Sequence, residues 1–291
     1  MKLVIAATPE VALPTIKHLQ DKHQVTLVTQ PDRPAGRGKK MRATAIAEAF
    51  PDAKKPESES ELQAILEKSD LLLTIGYGRL LSEETLSIPK FGGINLHFSL
   101  LPKWRGAAPV QRAISNGDRT TGVTVFQMDK GMDTGPIWSQ LPFDIPYEYS
   151  SPQLFADLSQ LGVKAVDEAL ISIAQGVSPT PQRGEPTIAR KISKEECIID
   201  WTKSAASIIQ KIKAFAFNPG VNASIRNQQI KIVDARVSDA NLSAGEINRN
   251  GEVGTGDGAI QLLAVTPAGK REMSVSDWLN GFKLQSGERF E

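Results

Sequence analysis

The chain has 291 residues, and its 34 lysines and arginines nearly balance its 33 aspartates and glutamates, leaving a formal net charge of +1. This balance excludes binding to nucleic acid by overall charge, so any such binding needs a local cluster. The single cysteine excludes an intrachain disulfide and an all-cysteine metal site, and the three histidines lack metal-ligand spacing, so we expect no metal. With neither a signal peptide nor an apolar run of membrane-spanning length, the sequence predicts a cytoplasmic enzyme.

The first half of the chain predicts an α/β domain with a Rossmann-like, mostly parallel sheet and flanking helices. Apolar runs at residues 2–7 and 24–29 flank a helical pattern, and this β-α-β order favours parallel strands with right-handed crossovers. Residues 70–75 resemble a buried strand, and residues 151–175 a long helix. Since the first turn carries no Gly-x-Gly-x-x-Gly, a nicotinamide dehydrogenase is a weak alternative.

A basic segment, residues 31–42, interrupts this pattern and predicts an irregular loop, because two prolines and two glycines oppose a continued strand or helix. Such a run is commonly a solvated loop. A loop directly after a strand is also where α/β folds build binding sites, and its arginines suit phosphate or the acceptor end of an RNA. The cationic residues of the segment are Arg33, Arg37, Lys39, Lys40 and Arg42.

Three polar residues in residues 92–138 form the candidate catalytic group. Asn95 and His97 occupy alternate positions near the end of one predicted strand, so they share a face about 7 Å apart. Asp133 lies in a turn-rich loop after a second strand, and we expect the two strand ends to bring all three to one sheet edge. There they would stabilise an oxyanion and move a proton, with the carboxylate favouring the imidazolium form. Spacing alone also allows a core histidine, a turn-facing amide and a loop cap.

The second half changes character after a proline-rich segment. We predict a catalytic domain at residues 1–176, a linker at 177–195 and a second domain at 196–291. The second domain begins with a helix near residues 204–215, and its short apolar runs separated by glycine-rich turns predict a small β-barrel.

Several runs resemble the signature of the folate-dependent formyltransferases. Within the central stretch they are Asn95-Leu96-His97, Ser99-Leu100-Leu101-Pro102, residues 103–112 and Met132-Asp133-Thr134-Gly135. Residues 30–40, 193–201 and 267–270 extend the likeness over nearly the whole chain. On these residues the chain is identified as a member of that family.

The resemblance implies transfer of a formyl group from 10-formyltetrahydrofolate to the amino group of methionyl initiator tRNA, for translation initiation. Asn95 and His97 would hold the formyl oxygen, and Asp133 would orient His97 and relay the proton. The segment around Arg37 would clasp the tRNA acceptor end, while a C-terminal barrel of the oligonucleotide-binding (OB-like) type would hold the tRNA body. We expect a monomer with no membrane partner.

The residues implied or predicted to contact these substrates fall into two groups. The folate group is Ser99, Leu100, Leu101, Pro102 and Tyr77, and the tRNA group is Arg33, Arg37, Lys39 and Lys40. For Tyr77, which glycines flank in a turn after a buried strand, plain packing is an equal alternative. Phe98 departs from the family, which usually has a small residue or proline there, and we expect it to narrow the folate pocket or change donor affinity.

Two other functions stay open. A formyltransferase acting on an amino sugar or nucleotide would share the chemistry without needing the basic segment. An RNA-binding module on a decayed enzyme scaffold would not need Asn95, His97 and Asp133 intact.

Overall fold

The computed structural model describes residues 1–35, 40–216 and 218–291, and the chain divides into two compact units. The N-terminal unit comprises Met1–Gly106, Thr120–Asp144 and Phe155–Ala189, and the C-terminal unit comprises Ala107–Arg119, Ile145–Leu154 and Arg190–Glu291. The segment predicted as a linker, residues 177–195, therefore contributes to both units. The domain boundaries given above stay a prediction.

The N-terminal unit is built on a six-stranded mixed sheet. The strands of this unit are β1 (Lys2–Ala7), β2 (Gln24–Val28), β3 (Arg33–Ala35), β4 (Lys40–Arg42), β5 (Leu71–Ile75), β6 (Gly93–His97), β7 (Arg105–Gly106), β8 (Thr120–Gln127), β9 (Ile137–Asp144) and β10 (Ile188–Ala189). The sheet has the order β2-β1-β5-β6-β8-β9, with parallel pairing from β2 to β6 and antiparallel pairing of β8 and β9. All five residues of strand β5 are buried, and all but Thr74 are apolar, as expected of a sheet covered on both faces.

Helices flank this sheet, which confirms the predicted fold class. The α-helices of the described residues are α1 (Leu13–Gln20), α2 (Ala45–Ala49), α3 (Glu59–Leu66), α4 (Glu83–Ser87), α5 (Pro109–Ser115), α6 (Ser151–Ala174), α7 (Ala205–Phe215) and α8 (Val275–Phe282). Helices α2, α3, α4, α7 and α8 each follow a serine or threonine whose side chain accepts a first-turn N–H, the preferred way to start a helix. Within the described ranges, no helix combines the length and the apolarity needed to cross a membrane.

The C-terminal unit contains an antiparallel sheet that curls into a half-barrel. Its strands are β11 (Val221–Ile225), β12 (Gln228–Ser238), β13 (Glu252–Gly254), β14 (Ala259–Pro267) and β15 (Met273–Ser274). They pair in the order β11-β12-β14-β13, with β15 beside β14, and the register shifts near Asp234 are bulges of the kind that bend and twist a strand. This confirms the barrel-type second domain that the turn spacing predicted.

The basic segment is partly regular, which corrects the prediction of an irregular loop. Strands β3 and β4 pair antiparallel, with Arg33 opposite Arg42 and Ala35 opposite Lys40. The proline at position 34 is compatible with this pairing because each strand of a two-stranded ladder is an edge, where a missing N–H is tolerated. Arg37 and Lys39 lie outside the described residues.

Candidate active site

Asn95 lies in the middle of β6, where it is paired with Thr74 of β5 and Phe126 of β8. The Thr74 hydroxyl donates a 2.8 Å hydrogen bond to Asn95 Oδ1. With the amide in this orientation, the Nδ2 group is the end left to donate to a ligand. The strand thus presents Asn95 as a hydrogen-bond donor.

His97 follows two positions later on the same face of β6 and is 6% exposed. Its Nε2 lies 2.9 Å from the backbone oxygen of Trp104, and since a carbonyl only accepts, Nε2 carries the hydrogen. Its Nδ1 lies 3.7 Å from Asp133 Oδ2. In the neutral ring, a lone pair on Nδ1 therefore faces the carboxylate, and a proton added there would face it as a donor.

Burial lowers the pKa of His97 from its ordinary value of 6.5, and the Asp133 carboxylate and the Trp104 carbonyl raise it by less. The carboxylate acts in the predicted direction, but the prediction left out burial, which has the larger effect and lowers the net pKa. The ring has lost nearly all contact with water, and loss of water penalises the charged form. His97 is therefore neutral near pH 7 and able to accept a proton.

The loop after β8 holds Asp133 in an unusual backbone conformation. Asp133 has a φ of +56°, in the left-handed region that aspartate enters more readily than most residues. Its Oδ2 accepts a 2.7 Å hydrogen bond from the Gly106 N–H. At Gly135 a Cβ would lie 1.8 Å from the Gln127 backbone oxygen, so only glycine lets the loop pass this close to β8.

The path from β8 to Asp133 differs from the predicted one. Strand β8 runs antiparallel to β6, with His97 opposite Thr124 and Ile94 opposite Gln127, so β8 ends beside the start of β6. The prediction that two strand ends deliver the residues to one edge is therefore wrong. The loop after β8 instead folds back along β6 until its carboxylate reaches His97.

Comparisons with known proteins match this chain to one enzyme family. Residues 1–170 match the family described as formyl transferase, and residues 191–283 match the formyl transferase C-terminal domain. The chain is 37% identical to a methionyl-tRNA formyltransferase of Dechloromonas aromatica over 305 residues, covering 100% of this chain and 99% of that protein. It is 36% identical to a methionyl-tRNA formyltransferase of Francisella philomiragia, covering 98% of this chain and 96% of that protein.

The chain belongs to the methionyl-tRNA formyltransferase family. It is therefore an enzyme of formyl transfer. Among solved structures, HypX from Aquifex aeolicus in complex with tetrahydrofolic acid superposes with a TM-score of 0.72 at 17% identity. That match covers 98% of this chain and 48% of HypX, so this chain spans about half of HypX, and at this identity the likeness concerns the fold.

In this member of the formyltransferase family, internal hydrogen bonds hold the loop predicted to line the folate site. The Ser99 hydroxyl donates to the Lys103 carbonyl at 2.5 Å, and the Ser99 carbonyl accepts from the Thr124 hydroxyl at 2.6 Å. The predicted folate residues of this loop are Ser99, Leu100, Leu101 and Pro102. Because Ser99 is fully buried and its hydroxyl is used within the loop, we expect this loop to shape the folate site without a serine contact.

Two further residues near the predicted folate site have packing partners. The Phe98 ring contacts the ring of Phe155 in α6 edge-on, with 5.8 Å between centroids. The Tyr77 ring is buried in an apolar cluster that includes Val4 and Leu72. The packing alternative for Tyr77 thus has direct structural support, and its folate contact and the effect of Phe98 on the pocket stay predictions.

The described tRNA residues predicted for the formyltransferase lie on the β3–β4 hairpin. Lys40 is exposed, and Arg33 Nη2 donates a 2.9 Å hydrogen bond to Gln30 Oε1. The Gln30 amide nitrogen in turn donates to the Tyr77 carbonyl at 3.0 Å. One buried glutamine therefore connects the base of the basic hairpin to the turn that follows β5.

Sequence reasoning missed three residues that hold the candidate catalytic residues in place: Thr74, Trp104 and Gly106. The signal for Thr74 was present, because it is the one polar residue in the apolar run Leu71–Ile75. Trp104 and Gly106 act through backbone atoms, which side-chain chemistry does not reveal.

Proposed function

We propose that this enzyme transfers the formyl group of 10-formyltetrahydrofolate to the amino group of methionyl initiator tRNA. The buried His97–Asp133 pair beside a donor-oriented Asn95 carries the proposal. Two relatives named methionyl-tRNA formyltransferase match the chain from end to end, which favours a tRNA over an amino sugar as acceptor. The tetrahydrofolic acid bound to HypX supports a folate donor.

In the first step the neutral amine of methionine attacks the formyl carbon, and the formyl oxygen gains negative charge. Asn95 Nδ2–H donates a hydrogen bond to this oxygen. A donor already oriented in a site shielded from water stabilises such an oxyanion strongly, and loss of one oxyanion donor typically costs about 100- to 1,000-fold in rate. Thr74 contributes because its hydroxyl hydrogen bonds to Asn95 Oδ1 and so favours the orientation in which Nδ2 faces the substrate.

His97 moves the proton. As the new carbon–nitrogen bond forms, Nδ1 takes the proton that leaves the amine. The resulting imidazolium has an acceptor for each N–H, the Trp104 carbonyl at Nε2 and the Asp133 carboxylate at Nδ1. The bond between the formyl carbon and the folate nitrogen then breaks, His97 returns the proton to that nitrogen, and the ring is neutral again.

Asp133 thus favours the charged form of His97 without making it the resting form. At 3.7 Å the Nδ1–Oδ2 contact is longer than a hydrogen bond, and proton uptake at Nδ1 would shorten it. Because the site is buried, this charge interaction is stronger than the same pair would have in water.

The tRNA would be held by both units. The cationic residues of the β3–β4 segment suit the phosphates of the acceptor end, and the half-barrel of the C-terminal unit would hold the tRNA body. The residues of this segment proposed to contact the tRNA are Arg33, Arg37, Lys39 and Lys40.

The direct test is to incubate the purified protein with 10-formyltetrahydrofolate carrying a labelled formyl group and with charged initiator tRNA. We expect acid-stable label on the methionine amino group. Elongator methionyl-tRNA and an amino sugar nucleotide serve as parallel acceptors. Label on the amino sugar alone would contradict the tRNA assignment, and label on no acceptor would contradict the proposed function.

A separate measurement tests the basic hairpin. Lys40→Ala, like Arg37→Ala, is expected to raise the KM for methionyl-tRNA and to reduce the salt slope of kcat/KM by roughly one, since each cation lost releases one counterion fewer. The KM for the folate donor should not change. Lys17→Ala, an exposed cation on α1, is the matched control. Equal effects of Lys40→Ala on both KM values would remove the hairpin from the tRNA site.

A further inference from the structure

The first part of the predicted linker lies along both loops that contact His97. We call residues 180–189 the bracing segment. At its start Thr180 exchanges two backbone hydrogen bonds with Ile137 of β9, at 2.7 and 2.8 Å. At its end Ala189 in β10 pairs with Gly106 in β7, the glycine whose N–H binds Asp133.

Gln182 is the side chain that joins the bracing segment to the Asp133 loop. Its Nε2 donates to the backbone carbonyls of Asp133 and Gly135, both at 2.9 Å. Its Oε1 accepts from the Arg105 guanidinium, at 3.2 Å from Nε and 2.6 Å from Nη2. Two carbonyls on one side and a guanidinium on the other leave one possible orientation of the amide, and they use its full hydrogen-bonding capacity.

Thr187 makes the corresponding contacts with the other partner of His97. Its Oγ1 accepts from the Trp104 N–H at 2.8 Å, and its carbonyl accepts from the Arg105 N–H at 2.8 Å. The Trp104 carbonyl is the acceptor of His97 Nε2. The bracing segment therefore holds the backbone of both residues that make the polar contacts with the imidazole described above.

Asp133 and Trp104 both need such a tie, because both have left-handed backbone conformations, with φ values of +56° and +61°. The Asp133 carboxylate reaches His97 from a loop, in a left-handed backbone conformation that persists only where its surroundings impose it. The two Gln182 hydrogen bonds hold the carbonyls of Asp133 and Gly135, on either side of the turn that carries the carboxylate.

We propose that Gln182 is a positioning residue for formyl transfer, which holds the Asp133 carboxylate at His97 Nδ1 by tying the Asp133 loop to the bracing segment. This rests on the proposed function for its kinetic consequences. The same contacts would be expected of a glutamine that only stabilises the fold, so the tests compare those two roles.

The matched variants are Gln182→Met and Gln261→Met, each of which keeps an unbranched side chain of similar length and removes the amide. Gln261 in β14 of the C-terminal unit is the control, because its Nε2 also donates to two backbone carbonyls, those of Asn250 and Leu262. Thermal unfolding of both variants establishes that they are folded.

The first test does not depend on activity. The chain has three histidines, so their imidazole signals are followed against pH by NMR and assigned by single substitutions. The charged group within ion-pair distance of His97, within the described ranges, is Asp133, and Arg105 is the charge that Gln182 holds. In Asp133→Asn the pKa of His97 is expected to fall below the wild-type value, because the carboxylate that raises it is gone.

Gln182→Met should lower the pKa of His97, as Asp133→Asn does. The same shift is expected when Arg105 is also replaced by methionine, which excludes movement of the Arg105 charge as its cause. Gln261→Met should leave it unchanged. A wild-type His97 titration in folded Gln182→Met would overturn the proposal, because Asp133 would then stay in place without the glutamine.

The second test is kinetic. Gln182→Met is expected to lower kcat about 10-fold with little change in either KM, since it disturbs the reacting group and not the substrate contacts. On the Asp133→Asn background the same change should cost less than about twofold, because the carboxylate it positions is absent. An equal loss on both backgrounds would overturn the positioning role. If the wild type transfers no formyl group, the proposed function fails while the NMR comparison still decides the placement of Asp133.

Discussion

Two histidine–aspartate pairs occur in the described part of the N-terminal unit, and they lie in different surroundings. On the outer helices, His18 Nε2 of α1 is 2.7 Å from Asp167 Oδ2 of α6, with Lys22 at 3.0 Å from the same oxygen. At the end of β6, His97 Nδ1 is 3.7 Å from Asp133 Oδ2. The His18 side chain is 31% exposed and that of His97 is 6% exposed.

The shorter contact, between His18 and Asp167, is not the one that we propose takes part in the reaction. Desolvation raises the pKa of Asp167, but the hydrogen bonds from Lys22 and His18 outweigh it and the pKa is lowered, as in a half-exposed ion pair. At His97 the effect of burial is larger than that of the Asp133 carboxylate and the Trp104 carbonyl, so the pKa of the imidazole is lowered. The comparison shows that burial, more than distance, distinguishes a histidine whose pKa is lowered from a partly exposed ion pair.

Replacing each histidine in turn should give the largest difference between the two pairs. His97→Ala is expected to lower kcat for formyl transfer about 1,000-fold, because it removes the general base, a contribution that spans about 100- to 10,000-fold in other enzymes. His18→Ala should leave kcat within about twofold. The two rates are measured under saturating donor and methionyl-tRNA, and a similar loss in both variants would contradict the assignment of His97.

Thr74→Val sharpens the account at Asn95. Valine keeps the shape of threonine but cannot donate to Asn95 Oδ1, so the amide is free to turn its oxygen toward the substrate. We expect kcat to fall about 10-fold with unchanged stability to within about 1.5 kcal/mol. Thr124→Val would be a poor control, because Thr124 hydrogen bonds to the loop that is predicted to line the folate site. Thr120→Val, at the exposed start of β8, is the better control. Full activity of Thr74→Val would show that another group orients the amide.

Much of this arrangement was predictable from the sequence, and the exceptions have physical causes. Short apolar runs predicted the strands β1, β5 and β6, and the helical spacing of leucines predicted α6, because buried strands and core-facing helices leave these patterns in the sequence. Strand direction left no such mark: nothing in residues 120–127 distinguishes a parallel from an antiparallel neighbour of β6. The fold-back of the Asp133 loop therefore emerged only from the register.

The pKa of His97 shows a different limit. The sequence places a histidine and an aspartate where an ion pair would favour the charged ring, and charge alone predicts a raised pKa. Burial has the larger effect, and the depth of one side chain depends on the packing of the whole unit. The bracing segment was missed for a related reason, since a run of prolines and glycines without apolar period has the composition of a linker whether or not it is bound to a surface.

The two histidine–aspartate pairs should affect the free energy of unfolding in different pH ranges. The pKa of His97 is lowered in the folded protein, so as the pH falls below about 6.5 the unfolded chain takes up a proton that the folded chain does not. The free energy of unfolding should therefore fall in this range in the wild type and fall less in His97→Gln. His23, whose pKa is also lowered, by desolvation and then by the N-terminal ammonium, acts in the same window and needs its own variant.

The Asp167 pair acts at lower pH. Because the pKa of Asp167 is lowered from 3.8, its contribution to stability is present above that pH and is lost as the pH falls below it. Asp167→Asn should thus lower the unfolding midpoint by a constant amount near neutrality, and this difference from the wild type should shrink only as the pH falls below about 3.8. In His97→Gln the difference from the wild type should change already as the pH falls below about 6.5. If the difference from the wild type changed over the same pH range in both variants, that result would contradict the difference in burial.

The most direct test of the central claim is the single-turnover rate of formyl transfer to methionyl-tRNA in two aspartate variants of the same unit. Asp133→Asn removes the charge that stabilises the imidazolium, and we predict a loss of about 100-fold or more. Asp167→Asn removes a carboxylate with a shorter histidine contact and should change the rate by less than about twofold. Equal rates in the two variants would contradict the claim that the buried pair carries out the proton transfer.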